Sequence, residues 1–155
     1  MNIITGGVCA AKGFTANGVH CGIRRNRTKR DLALIWSEVP ASAASVYTTN
    51  LVKGAPITVT KANITDGKAQ AILCNSGNAN TCNADGVEVA QTMCAMVAGE
   101  LDIAPTDVVI ASTGVIGQKL DVTPIKQGVP ELVKGLGDHS DLAAEAIMTT
   151  DTKKK

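Results

Sequence analysis

The chain has 155 residues, with 15 Lys and Arg against 14 Asp and Glu and a formal charge of +1, so it gives no electrostatic reason to expect a nucleic-acid partner. It has neither an apolar run of about 18 residues nor a signal-peptide core, so membrane insertion and secretion are not supported and the cytoplasm is the expected compartment. With one Trp, one Tyr and one Phe, the core must be built from Val, Ile, Leu, Ala and Met, and residues 1–155 are expected to form a single α/β domain.

Taken from the N-terminus, the first chemical candidates are His20 and Cys21. No C-x-x-C pair or helix-spaced histidine accompanies them, so neither a metal site nor a Cys–His catalytic pair is expected. The five cysteines, Cys9, Cys21, Cys74, Cys82 and Cys94, are odd in number and lack a disulfide-scaffold spacing. They read mostly as small buried hydrophobes. The basic run Arg24 to Arg30 (RRNRTKR) could contact phosphates or the anionic end of a cofactor, but no aromatic residue interleaves with it, which favours a solvated loop. The sequon-like triplets at Asn26 and Asn63 carry no meaning in a cytoplasmic protein.

Strands are expected over Leu32–Trp36, Ser45–Thr48, Ile57–Thr60, Ala69–Cys74 and Val108–Ala111 from their apolar, β-branched content. The polar segment Asn75 to Asn80 (NSGNAN) comes after one strand end, where Asn and Ser are expected to hold backbone groups in a tight turn. Gly86–Glu100 reads as a helix with Val87, Ala90, Cys94 and Val97 on its packed face and Asp85 or Asn83 as its cap.

The strand Val108–Ala111 runs into Ser112 to Gly117 (STGVIG). Gly114 and Gly117 permit backbone conformations closed to other residues, so consecutive N–H groups could converge on one point, as in an oxyanion hole. The bland alternative is an ordinary strand-to-loop turn. Thr123 before Pro124 suits a helix start, with Gly128 and Pro130 expected to break that helix into two pieces, and Ser140 is expected to cap a short helix over Asp141–Ile147. The hydroxyls of Thr149 and Thr150 next to that short helix fit a turn or cap role as well as a ligand contact.

These segments also occur together, in order, in one family. GGV at Gly6–Val8, KGF at Lys12–Phe14, DLALI at Asp31–Ile35, VYTTN at Val46–Asn50, AP at Ala55–Pro56, NSGNAN at Asn75–Asn80, STGVIG at Ser112–Gly117 and IMTTDT at Ile147–Thr152 span nearly the whole sequence. On these motifs the chain resembles the α-chain region of the ornithine acetyltransferase family, also called glutamate N-acetyltransferase. One departure is Ala11, where the family usually has proline.

The resemblance implies an enzyme of arginine biosynthesis that moves acetyl from N2-acetyl-L-ornithine to L-glutamate. It implies no cofactor, with acetyl-CoA as a further co-substrate in some members. It also implies autocatalytic cleavage of a precursor into α and β chains, an α2β2 heterotetramer, and an α-β-β-α sandwich completed by the β chain. The nucleophile is the N-terminal threonine of β, which forms an acetyl-threonine intermediate. Thr113 and Gly114 match the oxyanion-hole pair, and Thr149, with Thr150 beside it, matches a substrate-binding position. Only α-type sequence is present, so this chain is expected to be inactive without β. Two other readings stand beside this one: a binding module that uses the Thr113–Gly117 turn for an anion, and a structural remnant without chemistry.

Overall fold

A computed structural model describes residues 4–26 and 28–154. Four strands form one sheet in the order β1 (Phe14–Val19), β2 (Leu32–Ser42), β3 (Lys68–Asn75) and β4 (Val108–Ser112). The pairs β1–β2 and β2–β3 are antiparallel, and β3–β4 is parallel. Helices α1 (Ala55–Asn63), α2 (Gly86–Leu101) and α3 (Thr123–Lys134) contribute to one core cluster, and α4 (Ser140–Ala146) to another. The fold is mixed α/β.

Alternation along the strands decides which residues meet which helices. Leu32, Leu34, Ala71, Leu73, Val108 and Ile110 point toward α1–α3 and meet Val59, Met93, Val97, Ile125, Val129 and Leu132 in the main core. Most of these side chains are aliphatic and none is aromatic. On the opposite face Ala16, Ile35, Ile72 and Val109 stand in register across all four strands. Helix α4 covers Ala16 and Ala33 through Ala143 and Ala146. Phe14, Ile35, Ile72 and Val109 line an apolar groove of about 280 Å³, with Ala43 to Ser45 along its side. Ile72 is 40% exposed there. No helix of the described residues is long and apolar enough to cross a membrane.

The expected strands over Leu32–Trp36, Ala69–Cys74 and Val108–Ala111 are present with longer bounds, and β2 continues through a register shift between Trp36 and Ala41. Ser45–Thr48 forms no strand, because this stretch, exposed apart from the half-buried Tyr47, has no ladder partner among the described residues to turn β propensity into structure. Ile57–Thr60 is helical. Pro56 in the first turn of α1 pre-sets the backbone, and Pro56, Val59 and Thr60 are buried at helical spacing. The strand β1 was hidden by Asn17 and Gly18, both poor strand formers. Here the Asn17 amide donates to Leu132 O (2.9 Å) and accepts from Gly18 N (2.8 Å), a tertiary arrangement that overrides propensity.

In α2 the buried line is Gly86, Ala90, Met93, Cys94, Val97 and Ala98, whereas Val87 is 41% exposed. Asp85 occupies the N-cap position without a side-chain capping bond and instead pairs with Lys119 at 3.0 Å. The break expected in α3 is absent. Pro130 and Lys126, whose carbonyl it would leave unbonded, are both exposed, so water can serve that carbonyl. Asp121 Oδ1, rather than Thr123, caps this helix by accepting the Thr123 N–H at 2.9 Å. Ser140 opens α4, and its hydroxyl accepts from Cys9 N (2.9 Å) and donates to Gly6 O (2.6 Å) instead of capping the helix.

Gly128 is a packing residue rather than a breaker, since a Cβ there would overlap the Cβ of Cys21. Glycine to alanine in a helix ordinarily gains about 1 kcal/mol. Gly128→Ala is expected to lower Tm instead, because the overlap costs about 1–3 kcal/mol. A raised Tm on thermal unfolding would contradict this packing.

Candidate functional site

The site arises from the one parallel pair in the sheet. The crossover helix α2 returns the chain so that β3 and β4 run the same way, with Asn75 opposite Ser112 at their carboxyl ends. The two motif loops, NSGNAN and STGVIG, therefore leave the sheet side by side. This is where open parallel sheets bind ligands.

The asparagines hold these loops, as the sequence suggested. Asn75 is fully buried. Its Oδ1 accepts from Gly77 N (3.2 Å) and Asn78 N (3.0 Å), and its Nδ2 donates to Ser112 Oγ (2.7 Å). Asn78 Oδ1 accepts from Asn80 N (2.7 Å), and its Nδ2 donates to Gln118 O (2.9 Å). Asn80 Nδ2 donates to Gly86 O (2.8 Å). Backbone bonds from Ala79 N to Val115 O (2.8 Å) and from Val115 N to Gly77 O (3.4 Å) join the loops directly.

This bonding corrects the expectation of a run of free amides. Thr113 N donates to Asn75 O (2.9 Å) and Gly117 N to Thr81 O (3.2 Å), so with Val115 three of the turn's amides are already used. No row of consecutive donors is left for a phosphate nest. The Gly114 N–H and the Thr113 hydroxyl have no partner among the described residues. Gly114 has φ 125°, and a Cβ on it would lie 2.6 Å from Gly77 C and 2.8 Å from Asn78 N. Only glycine can present its amide from this position.

The third segment comes from beyond α4. Thr149 N donates to Asp151 Oδ2 at 3.2 Å, which bends the chain after the helix. The hydroxyls of Thr149 and Thr150 have no partner among the described residues, so neither serves as a cap. All four residues singled out in the sequence, Thr113, Gly114, Thr149 and Thr150, line one open groove of about 760 Å³. Their separation in sequence gave no sign of this convergence.

Arg24, Arg25 and Asn26 line the same groove. The basic run is thus only partly a solvated loop. Arg24 and Arg30 are half-buried, Arg25 is exposed, and Arg27 lies outside the described residues. Arg24 donates to two backbone carbonyls, and Arg30 donates to Gly18 O (2.9 Å) and pairs with Glu145 (3.0 Å). Among the described residues the groove lining includes two arginines and no carboxylate, so it favours anionic ligands.

The thiols stand apart from this chemistry. Burial, and then the Asp31 charge, pushes the Cys21 thiol up to about 12, and burial pushes Cys74 and Cys94 up to about 11. These groups stay protonated at neutral pH and are poor nucleophiles. Only Cys94 is fully buried; Cys9, Cys21 and Cys74 are partly so, and Cys82 is exposed. His20 Nδ1 lies 2.8 Å from Lys29 O and 3.4 Å from Asp31 Oδ2.

Comparison with known proteins shows what the chain is similar to. The family model described as ArgJ family matches residues 15–155. The arginine biosynthesis bifunctional protein ArgJ of Listeria monocytogenes is 45% identical over 157 residues, covering 100% of this chain and 39% of that protein. The protein of the same name from Caldanaerobacter subterraneus is 46% identical over 154 residues, covering 98% of this chain and 38% of that protein. The chain spans about two fifths of the length of these curated relatives. The crystal structure of arginine biosynthesis bifunctional protein argJ from Bacillus halodurans superposes with a TM-score of 0.91 at 42% identity, over 99% of this chain and 81% of that one. For the ornithine acetyltransferase from Mycobacterium tuberculosis complexed with ornithine, the TM-score is 0.90 at 37% identity, over 95% of this chain and 81% of that one.

Proposed function

From the premise that the chain belongs to the ArgJ family, we propose that its groove is the oxyanion-binding and substrate-binding side of an acetyl-transfer site. The donor is N2-acetyl-L-ornithine and the acceptor L-glutamate, with acetyl-CoA as an alternative donor. The nucleophile is the N-terminal threonine of a β chain, cut from the same precursor and assembled with this chain as α2β2. One observation carries the reading: the Thr113 hydroxyl and Gly114 N–H, without partners among the described residues, lie in one groove with the Thr149 and Thr150 hydroxyls, which also have none among the described residues.

The threonine hydroxyl attacks the acetyl carbonyl, with its own α-amino group as base. Negative charge gathers on the carbonyl oxygen, where the Gly114 N–H and the Thr113 hydroxyl donate to it. The Gly114 N–H is held before the reaction begins by close packing on Gly77, and the Thr113 backbone by its amide bond to Asn75 O. Donors placed in this way contribute about 3 kcal/mol each to transition-state stabilisation. Collapse of the tetrahedral intermediate breaks the C–N bond and releases ornithine, whose amine takes a proton as it leaves. The glutamate amine then attacks the acetyl-threonine through the same oxyanion position and gives up a proton. Collapse of the second tetrahedral intermediate breaks the threonine C–O ester bond, the threonine oxygen regains its proton, and N-acetylglutamate is released. Thr149 and Thr150 orient the amino acid, and the positive groove draws in its carboxylate.

The test is an exchange assay on the assembled protein with acetyl-labelled N2-acetyl-L-ornithine and unlabelled L-glutamate. Labelled N-acetylglutamate, with parallel double-reciprocal lines, is the expected result. Absence of transfer when both chains are present would overturn the proposal.

A further inference from the structure

Three segments that are remote in sequence meet at Ser76, in the lining of the groove. Ser76 N donates to Asp31 O (2.9 Å), and its hydroxyl donates to Ala146 O at the end of α4. Its carbonyl accepts from Arg24 Nε at 2.8 Å. The same guanidinium donates through Nη2 to Met148 O, the residue before Thr149. Arg24 therefore bridges the loop that carries Gly77, against which Gly114 packs, and the segment that carries Thr149 and Thr150.

Arg24 is itself fixed from behind. Asp31 is fully buried, and its carboxylate accepts from Cys21 N (2.7 Å), Gly22 N (3.2 Å) and Arg24 N (2.9 Å). Three amides on one buried carboxylate set the path of residues 21–24 and aim the arginine. A guanidinium holds its donors in a rigid plane and so reaches two carbonyls at once, whereas a lysine ammonium is a point donor on a flexible stem.

We propose that Arg24, held by Asp31, is a positioning residue that sets the spacing across the groove between Thr149–Thr150 and the Thr113–Gly114 turn. The inference deepens the acetyl-transfer reading and rests on it for its consequence in turnover. Arg24 spends its Nε and Nη2 on protein carbonyls, so its task is to hold the two walls. Arg25 has no partner among the described residues and is the arginine left free for an anionic ligand.

Arg24→Lys in the assembled protein tests this, because it keeps the charge and most of the stem. Amide hydrogen exchange over residues 147–152 is expected to become about tenfold faster while α2 is unchanged. In the transfer assay kcat is expected to fall about tenfold or more, a loss typical of misplaced groups. For Arg24→Ala, added methylguanidinium should restore part of that turnover. Unchanged exchange over 147–152 would overturn the proposal, as would exchange accelerated throughout the chain, the mark of a general stability role. Because exchange is read without substrate, loss of the strap is visible even if the parent protein transfers no acetyl group, a result that would sink only the functional reading.

Discussion

Thr113→Ala in the assembled enzyme is expected to lower kcat by about a hundredfold or more, with little change in KM or Tm. The Thr113 hydroxyl bonds to nothing among the described residues, so removing it leaves no buried polar group without a partner. The backbone bond from Thr113 N to Asn75 O survives, and the turn keeps its place. On the proposed mechanism, what is lost is a donor used only when charge develops on the acetyl oxygen. Thr113→Val is the sharper variant, since it keeps the shape and β-branching and removes only the hydroxyl. Thr113→Ser should retain most of the turnover. Steady-state kinetics on the three variants checks the assignment. Turnover in Thr113→Val equal to that of the parent would remove the hydroxyl from the oxyanion hole.

Asn75→Ala is expected to destabilise the chain by about 3 kcal/mol, since burial leaves the groups it served without partners. That loss lowers Tm by about 10 °C for a domain of this size. Gly77 N, Asn78 N and Ser112 Oγ all lose their bonds to the side chain. They lie where the NSGNAN and STGVIG loops diverge from the parallel strands, so the damage reaches the Gly114 amide as well as the fold. Thermal unfolding measures the effect directly. A Tm within about 2 °C of the parent, less than about 1 kcal/mol, would show that the Asn75 network contributes little.

Local apolar spacing was enough to read β3, β4 and α2 from the sequence, apart from their bounds and the exposed Val87. Both motif loops were readable as turns because Gly and Asn mark them. β1 was not, because Asn17 and Gly18 are tolerated only through their tertiary partners. Ile57–Thr60 read as a strand on β-branching, although Pro56 and the spacing of Val59 and Thr60 against the sheet make it helical.

At the site, the residue types were readable and their convergence was not. Thr113–Gly114 and Thr149–Thr150 were singled out through resemblance, but their shared groove depends on strand pairing and on α4 folding back over the sheet. Arg24 was overlooked for a related reason. In sequence it is one cation in a basic run, and only its bonds to Ser76 O and Met148 O distinguish it from Arg25. Asp31 gave a weaker signal, as a charged residue leading directly into the apolar strand Leu32 to Trp36.

Thr113, in the mechanism proposed, stabilises charge and never carries the acetyl group. The decisive measurement is the intact mass of each polypeptide in the assembled protein after incubation with N2-acetyl-L-ornithine in the absence of glutamate. One added acetyl group is expected on a partner polypeptide that begins with threonine and none on this chain, and the added mass should disappear when glutamate is supplied. An acetyl group on this chain, mapped by fragmentation to Thr113, would make that residue the nucleophile and overturn its place in the oxyanion hole.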